Sequence, residues 1–315
     1  MGVYILLGVF LVLYAGFRDG DAVLDYENYL QMYEDVKLGN PLLTEPTFIW
    51  IASLSSSSVM LFVIYALLGV GLKLFAIKQL SQLWFLSLVI YISNFFILHE
   101  LTQIRAGVAA ALLLLCVKPI YERNWKLFLL FSIAAILFHA SALIILPLWF
   151  LTYSKQPHRI LLALGLPIAY VVYFSGINLV GIIPIPGIQE KLEMYQELKM
   201  LGGEEWSKIN VFNAVFLLKI GLFYLLLWKA ELVETRNKYF LLMMNIFCIS
   251  LMSFPLFAAM PVVGFRINEL FGMVEILLFP MIYYIFRPKI MSKSIVVSIG
   301  CLILMISIFY NKLIV

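Results

Sequence analysis

Charge is scarce in this sequence. Asp, Glu, Lys and Arg make up 13% of its 315 residues, against about 25% in a soluble globular domain. With 63% hydrophobic residues and a mean hydropathy of +1.01, too little polar surface exists to cover one soluble core. Disorder, collagen and coiled coil are excluded by the same figures. Cysteine is sparse too: Cys116, Cys248 and Cys301 each sit inside an apolar run, with no spacing for a bridge or a zinc site. They read as buried thiols, and a disulfide framework is excluded. Three scattered histidines make no transition-metal site. A phosphate-binding glycine loop, a CxxC pair and a nucleophile elbow are all missing, and nothing points to ATP or nucleic acid. No internal repeat, low-complexity tract or second domain is visible. The first hydrophobic run, residues 3–17, is preceded by no Lys or Arg, so it reads as a retained helix rather than a cleaved signal peptide.

Long apolar runs are what the chain does contain. A helix needs roughly 20 apolar residues to cross a bilayer. Runs near that length occur at residues 3–17, 59–77, 83–98, 104–120, 160–178, 211–228, 239–258, 270–286 and 295–310. They predict an all-α, polytopic membrane bundle with about nine full spans. Residues 125–152 are too many for one upright helix and too few for two, so a hairpin of two short helices breaking near His139-Ala-Ser is expected. With a cytoplasmic N-terminus, the cytoplasmic loops carry most of the basic residues, Lys73, Lys118, Arg123, Lys126, Lys229, Arg236 and Lys289 among them. The C-terminus then lies outside, and only Lys219 and Glu275 fall within spans. Residues 1–315 form one transmembrane domain whose outer loops, 18–58 and 181–210, make the expected active-site face. In the second loop Ile188, Leu192, Tyr195, Leu198 and Leu201 recur three or four apart, the spacing of an amphipathic surface helix.

Arg18, Arg105 and Arg266 share one placement, where an outer loop meets a hydrophobic run. Charge at membrane depth is costly and usually faces a cavity. An arginine near a helix N-terminus opposes the macrodipole, so it is not there as a cap. Singly each reads as an interfacial anchor; three on one side favour anion binding, because guanidinium forks match phosphate oxygens. In the first outer loop Asp21, Asp25 and Asn28 lie on one helical face, as do Tyr26, Tyr29 and Tyr33. Tyrosines beside carboxylates suit a sugar ring, and a solvated helix start explains the acids equally well. Glu45-Pro46, just before the apolar stretch 48–51 at the membrane interface, is a weaker candidate of the same kind. His139 lies deep in Leu137-Phe-His-Ala-Ser-Ala-Leu. A lone histidine there is usually structural, but at a hairpin break a neutral imidazole can take a proton from a hydroxyl. His99 and His158 read as loop residues.

The order of these pieces resembles the EpsG family of polysaccharide polymerases, relatives of the Wzy-type O-antigen polymerases. The matching stretches are Phe17-Arg18 with Asp21, Asp25 and Tyr29; Glu45-Pro46-Thr-Phe48; Gln103-Ile-Arg105-Ala-Gly-Val-Ala109; His139-Ala-Ser-Ala142-Leu; and Phe265-Arg266. Alanine follows His139 where the family leads one to expect proline. The resemblance implies a GT-C-like bundle in the bacterial inner membrane, working on its outer, periplasmic face. It would move a growing glycan from undecaprenyl diphosphate onto the end of a lipid-linked repeat unit. Arg105 and Arg266, with Arg18, would hold the diphosphate, and His139 would be the base, with Asp21 or Glu45 as the alternative. Asp25, Tyr26, Tyr29, Glu45 and Gln103 would contact substrate. No cofactor is expected, with a divalent cation at Asp19 and Asp21 left open. Implied partners are undecaprenyl-diphosphate-linked oligosaccharides, membrane lipid, and chain-length regulator and flippase proteins. Two rival classes remain: a glycosyltransferase using a polyprenyl-phosphate sugar, and a transporter of lipid-linked glycans, which should show mid-membrane breaks in paired halves.

Overall fold

The structure is a computed structural model that describes residues 2–20, 23, 25–151, 157–177 and 210–310. Asp21 and nearly all of the expected amphipathic helix at 181–210 fall outside those residues. The described regular elements are helical. Close packing divides the chain into two units.

The first unit holds α1 (Gly2–Gly16), α2 (Tyr26–Leu38), α3 (Pro46–Leu54), α4 (Ser58–Leu80), α5 (Trp84–Ile90), α6 (Ile104–Tyr121) and α7 (Trp125–Phe138). A π-helix, Tyr91–Thr102, continues α5, and a 3-10 helix, Ala140–Phe150, follows α7. Its core is α6. Ala109, Ala110 and Ala111 are fully buried there, small enough to let α4 and α7 pack closely on both sides. Ser57 starts α4 by accepting the Met60 amide at 3.2 Å, and Asn124 starts α7 by accepting that of Leu127 at 3.1 Å. Helix α1 lies on α4, with the Tyr4 hydroxyl donating to the Leu74 carbonyl at 3.0 Å, and turns Leu6 and Phe10 outward. The second unit contains α8 (Pro157–Phe174), α9 (Ala214–Trp228), α10 (Phe240–Leu256) and α11 (Pro261–Gly272). Within it Asn268 and Ser250 exchange buried hydrogen bonds at 2.9 Å, which joins α10 to α11.

Among the described residues four helices are long and apolar enough to cross a membrane: Ser58–Leu80, Trp84–Thr102, Ile104–Tyr121 and Lys289–Phe309. Six apolar helices are shorter, and the protein is a membrane-embedded helical one. The segment 125–152 breaks at His139, whose backbone is extended (φ −155°, ψ 115°). Its two ends meet: Arg123 donates through Nη1 to the Trp149 carbonyl at 2.7 Å and through Nη2 to that of Leu151 at 2.6 Å. Three expectations are corrected. The run 83–98 does not end there but continues to Thr102, so His99 and Glu100 are helical and buried rather than in a loop. Lys73, expected in a cytoplasmic loop, is 0% exposed within α4 and forms an ion pair with Glu100. Each charge makes the other's burial tolerable. The run 270–286 is no continuous span either. It splits into Gly272 ending α11, a helix Glu275–Leu278 and a 3-10 helix Phe279–Tyr284. Pro280 removes an amide donor there, and the buried Glu275 accepts from the Asn94 side chain at 3.2 Å.

Candidate functional site

The site begins at the start of α3. Pro46 occupies the first helical turn, where its fixed φ and missing amide cost nothing. The Thr47 hydroxyl donates to the Leu137 carbonyl at 2.7 Å, one of the last carbonyls of α7 that has no partner within its own helix. Phe48 is fully buried, 6.0 Å from the Tyr29 ring and 6.2 Å from the Tyr65 ring. These contacts seat Glu45 against the end of α7, where His139 turns the chain into the 3-10 helix.

Glu45 is the hub of the cluster. Its Oε1 accepts the Ala140 amide at 3.1 Å and stands 3.1 Å from His139 Nδ1. Its Oε2 pairs with Arg105 Nη1 and accepts the Thr44 hydroxyl at 3.2 Å, while Arg105 Nη1 also donates to Thr44 Oγ1 at 2.6 Å. Burial raises the Glu45 carboxyl. The hydrogen bonds from His139 and Ala140 and the Arg105 charge outweigh it and hold the group well below the usual carboxylate range. An ionised carboxylate only accepts, so the network places the Nδ1 proton of His139 toward Glu45. A neutral ring then carries its lone pair on Nε2, which is buried and has no hydrogen-bond partner among the described residues. This is the arrangement in which one acid orients one base.

Two guanidinium groups lie beside it. Arg105 Cζ is 5.6 Å from the Tyr29 ring and 5.9 Å from the Phe48 ring, and its Nε is buried without a partner among the described residues. Arg18 donates through Nη1 to the Ala15 carbonyl at 3.0 Å and to the Glu100 carbonyl at 3.3 Å. Its Cζ sits 4.0 Å over the Phe62 ring, and its Nε and Nη2 are buried, again without partners among the described residues. Burial pushes Arg18 down to about 10, against the favourable influence of Tyr29 and Tyr26. Tyr29 feels both arginines. The unmatched donors of Arg18 and Arg105 and the free face of the imidazole are chemistry suited to an anionic, oxygen-rich ligand.

Of the residues singled out from the sequence, Arg18, Tyr26, Tyr29, Glu45, Arg105 and His139 all belong to the first unit, and the contacts above link them. Two roles change. Glu45 engages four donors and stays ionised, so its basicity is low and it is poorly placed as the base. The tyrosine face of α2 is no open platform: Tyr26 stacks on Phe62 at 4.9 Å, Tyr29 packs on Phe48, and the Tyr33 hydroxyl donates to the Ser55 carbonyl at 3.2 Å. Phe62 and Phe48 supply the surface that Tyr26 and Tyr29 cover. Asp25 precedes α2 and its side chain makes no capping bond. Gln103 sits at the break between the π-helix and α6, its amide donating to the Leu98 carbonyl at 2.7 Å. Arg266 belongs to the second unit, on α11, 3.8 Å from Glu269 Oε2. Among the described residues no three His, Cys, Asp or Glu side chains stand together as a metal site needs; Asp21 is not among them. Thr44 and Thr47 were missed from the sequence, although both flank the Glu45-Pro46 pair in a pattern typical of a helix start.

The model of the EpsG family matches residues 2–315. The chain belongs to the EpsG family. The amylovoran biosynthesis protein AmsC of Erwinia amylovora is 25% identical over 319 residues, covering 94% of this chain and 83% of that protein. No solved structure matches. The stretches that carried the EpsG resemblance are scattered along the sequence. Those in the first unit, around Arg18, Glu45, Arg105 and His139, supply the cluster just described.

Proposed function

We propose that this EpsG-family chain is an exopolysaccharide repeat-unit polymerase of the bacterial cytoplasmic membrane. It takes a growing glycan from undecaprenyl diphosphate and joins it to the non-reducing end of a lipid-linked repeat unit on the outer face. The bundle is GT-C-like, with about nine crossings once the shorter apolar helices are tilted or paired. The observation that carries the reading is the Glu45–His139 pair held beside Arg105 in a membrane-embedded chain of this family.

The geometry of the cluster supports the following chemistry. His139 Nε2 takes the proton of an acceptor hydroxyl as its oxygen attacks the anomeric carbon of the donor. The bond from that carbon to the diphosphate oxygen breaks, and undecaprenyl diphosphate leaves with the electron pair. Glu45 steadies the imidazolium formed, and the free donors of Arg18 and of Arg105 Nε stabilise the charge growing on the leaving oxygen. Arg105 Nη1 is committed to Glu45 and Thr44, so Arg18 takes the larger share of the diphosphate. The sugar–diphosphate bond supplies the free energy. The test is the pool of lipid-linked glycans in a strain lacking the chain. Single complete repeat units on the outer face are expected. Truncated units would indicate a polyprenyl-phosphate glycosyltransferase instead, and complete units held on the cytoplasmic face a transporter.

A further inference from the structure

The most costly feature of the first unit is one the transfer chemistry does not use. Lys73 and Glu100 are 0% and 1% exposed and pair between α4 and the π-helix. Taking two such charges out of water costs several kcal/mol each, and a well-packed apolar pair is often as stable. Stability alone therefore does not explain them. The same Lys73 ammonium also donates to the Gly107 carbonyl at 2.8 Å, in the first turns of α6. Tyr91 donates to Glu100 at 3.0 Å, and Arg18 reaches the Glu100 carbonyl. One ammonium group thus grips the chain on both sides of the break at Gln103, and Arg105 lies between the two grips.

The backbone is shaped for this clamp. A Cβ on Gly69 would run into the Glu100 carboxylate, and one on Gly107 would stand 2.8 Å from the His99 carbonyl. Both glycines allow the close approach. The residues from Tyr91 to Thr102 are π-helical, a form that shifts side chains out of α-helical register and is common near functional sites. We infer that Lys73 and Glu100 are positioning residues: their buried pair sets the turn that presents Arg105 to Glu45, and through Glu45 it sets the orientation of His139. This inference rests on the reading of the Glu45–His139–Arg105 cluster as the place of transfer.

The experiment uses the full-length protein in lipid nanodiscs, with undecaprenyl-diphosphate-linked repeat units as substrate. The double variant Lys73→Met/Glu100→Gln removes both charges at similar volume and leaves no lone buried ion. It is expected to melt within about 3 °C of the parent. Its turnover at saturating substrate should fall about 10–100-fold, as displaced catalytic groups do. The melting shifts of Arg105→Gln and Glu45→Gln, non-additive in the parent, should become additive in this background. Parental turnover with the non-additivity kept would overturn the positioning role. Additivity with parental turnover would uphold the clamp and overturn the cluster as the place of transfer. Should the double variant fail to fold, Gly107→Ala decides, because it displaces the same turn with both charges in place. A comparable loss of turnover upholds the inference, and parental turnover overturns it.

Discussion

Glu45→Gln is the most demanding perturbation of the site, because it changes almost no volume and removes one charge. The carboxylate accepts on both sides: His139 and Ala140 at Oε1, Arg105 and Thr44 at Oε2. An amide has one acceptor oxygen and one donor nitrogen. With its oxygen toward His139, its NH2 faces the Arg105 guanidinium, donor against donor. Flipped, it faces the Ala140 amide and drives His139 to the other tautomer, with the proton on Nε2. At least one charge-assisted bond is lost either way, each worth about 1.5–3 kcal/mol, so a loss of about 2–4 kcal/mol in stability is expected. The flipped state has no basic nitrogen facing the substrate, and turnover should fall about 10²–10⁴-fold, by analogy with other acid-oriented histidines. Thermal unfolding in nanodiscs and turnover of lipid-linked repeat units measure the two effects separately. Turnover within about threefold of the parent would refute the orienting role of Glu45.

Acid should narrow the stability difference between parent and Glu45→Gln. Glu45 titrates below its usual 4.5 in the folded state, so its contribution is complete above that pH and fades as pH falls further toward the lowered native value; the gap between the two melting curves should be constant from pH 7 to pH 5 and smaller, though still present, at pH 3. Arg105→Ala should lower turnover about 10²-fold, and Arg105→Lys should not restore it, since a point charge replaces a fork poorly. Lys37→Ala, at an exposed residue whose ammonium donates to the Ser53 carbonyl and lies 5.4 Å from the Tyr33 ring centroid, away from the cluster, serves as a near-silent control. Thr47→Val should cost about 1–3 kcal/mol in melting experiments, because it strands the Leu137 carbonyl at the end of α7. Reporter fusions after Lys126 and after Leu151 should report the same side of the membrane, as the Arg123 bonds to Trp149 and Leu151 require; opposite sides would break the hairpin.

The helical membrane character of the chain and the break at His139 were legible in the sequence, and Arg105, Glu45 and His139 could be singled out there as candidates. Hydropathy and residue order are local signals, and each of these features is local. Partnerships were not legible. Arg105 and Glu45 stand 60 residues apart and Lys73 and Glu100 stand 27 apart, and no periodicity within one helix reports on a contact with another. The same blindness misplaced the end of the run 83–98. His99-Glu100 looks like the polar end of a span until Lys73 is known to neutralise Glu100 inside the bundle. The tyrosines of α2 share a face as expected, but spacing says only that a face exists, not that Phe48 and Phe62 fill it. Pro280 sits inside an apolar run of normal length, and hydropathy does not register the amide donor it lacks.

The central claim is that His139, held by Glu45, is the base of a glycan polymerase. It is tested most directly by purified protein in nanodiscs, given one undecaprenyl-diphosphate-linked repeat unit and no nucleotide. The account predicts that the parent releases undecaprenyl diphosphate and builds longer lipid-linked glycans. His139→Gln should fold, bind the substrate and turn over about 10²–10⁴-fold more slowly. A parent that leaves the repeat unit unchanged, or a His139→Gln variant that elongates it at the parental rate, would contradict the account.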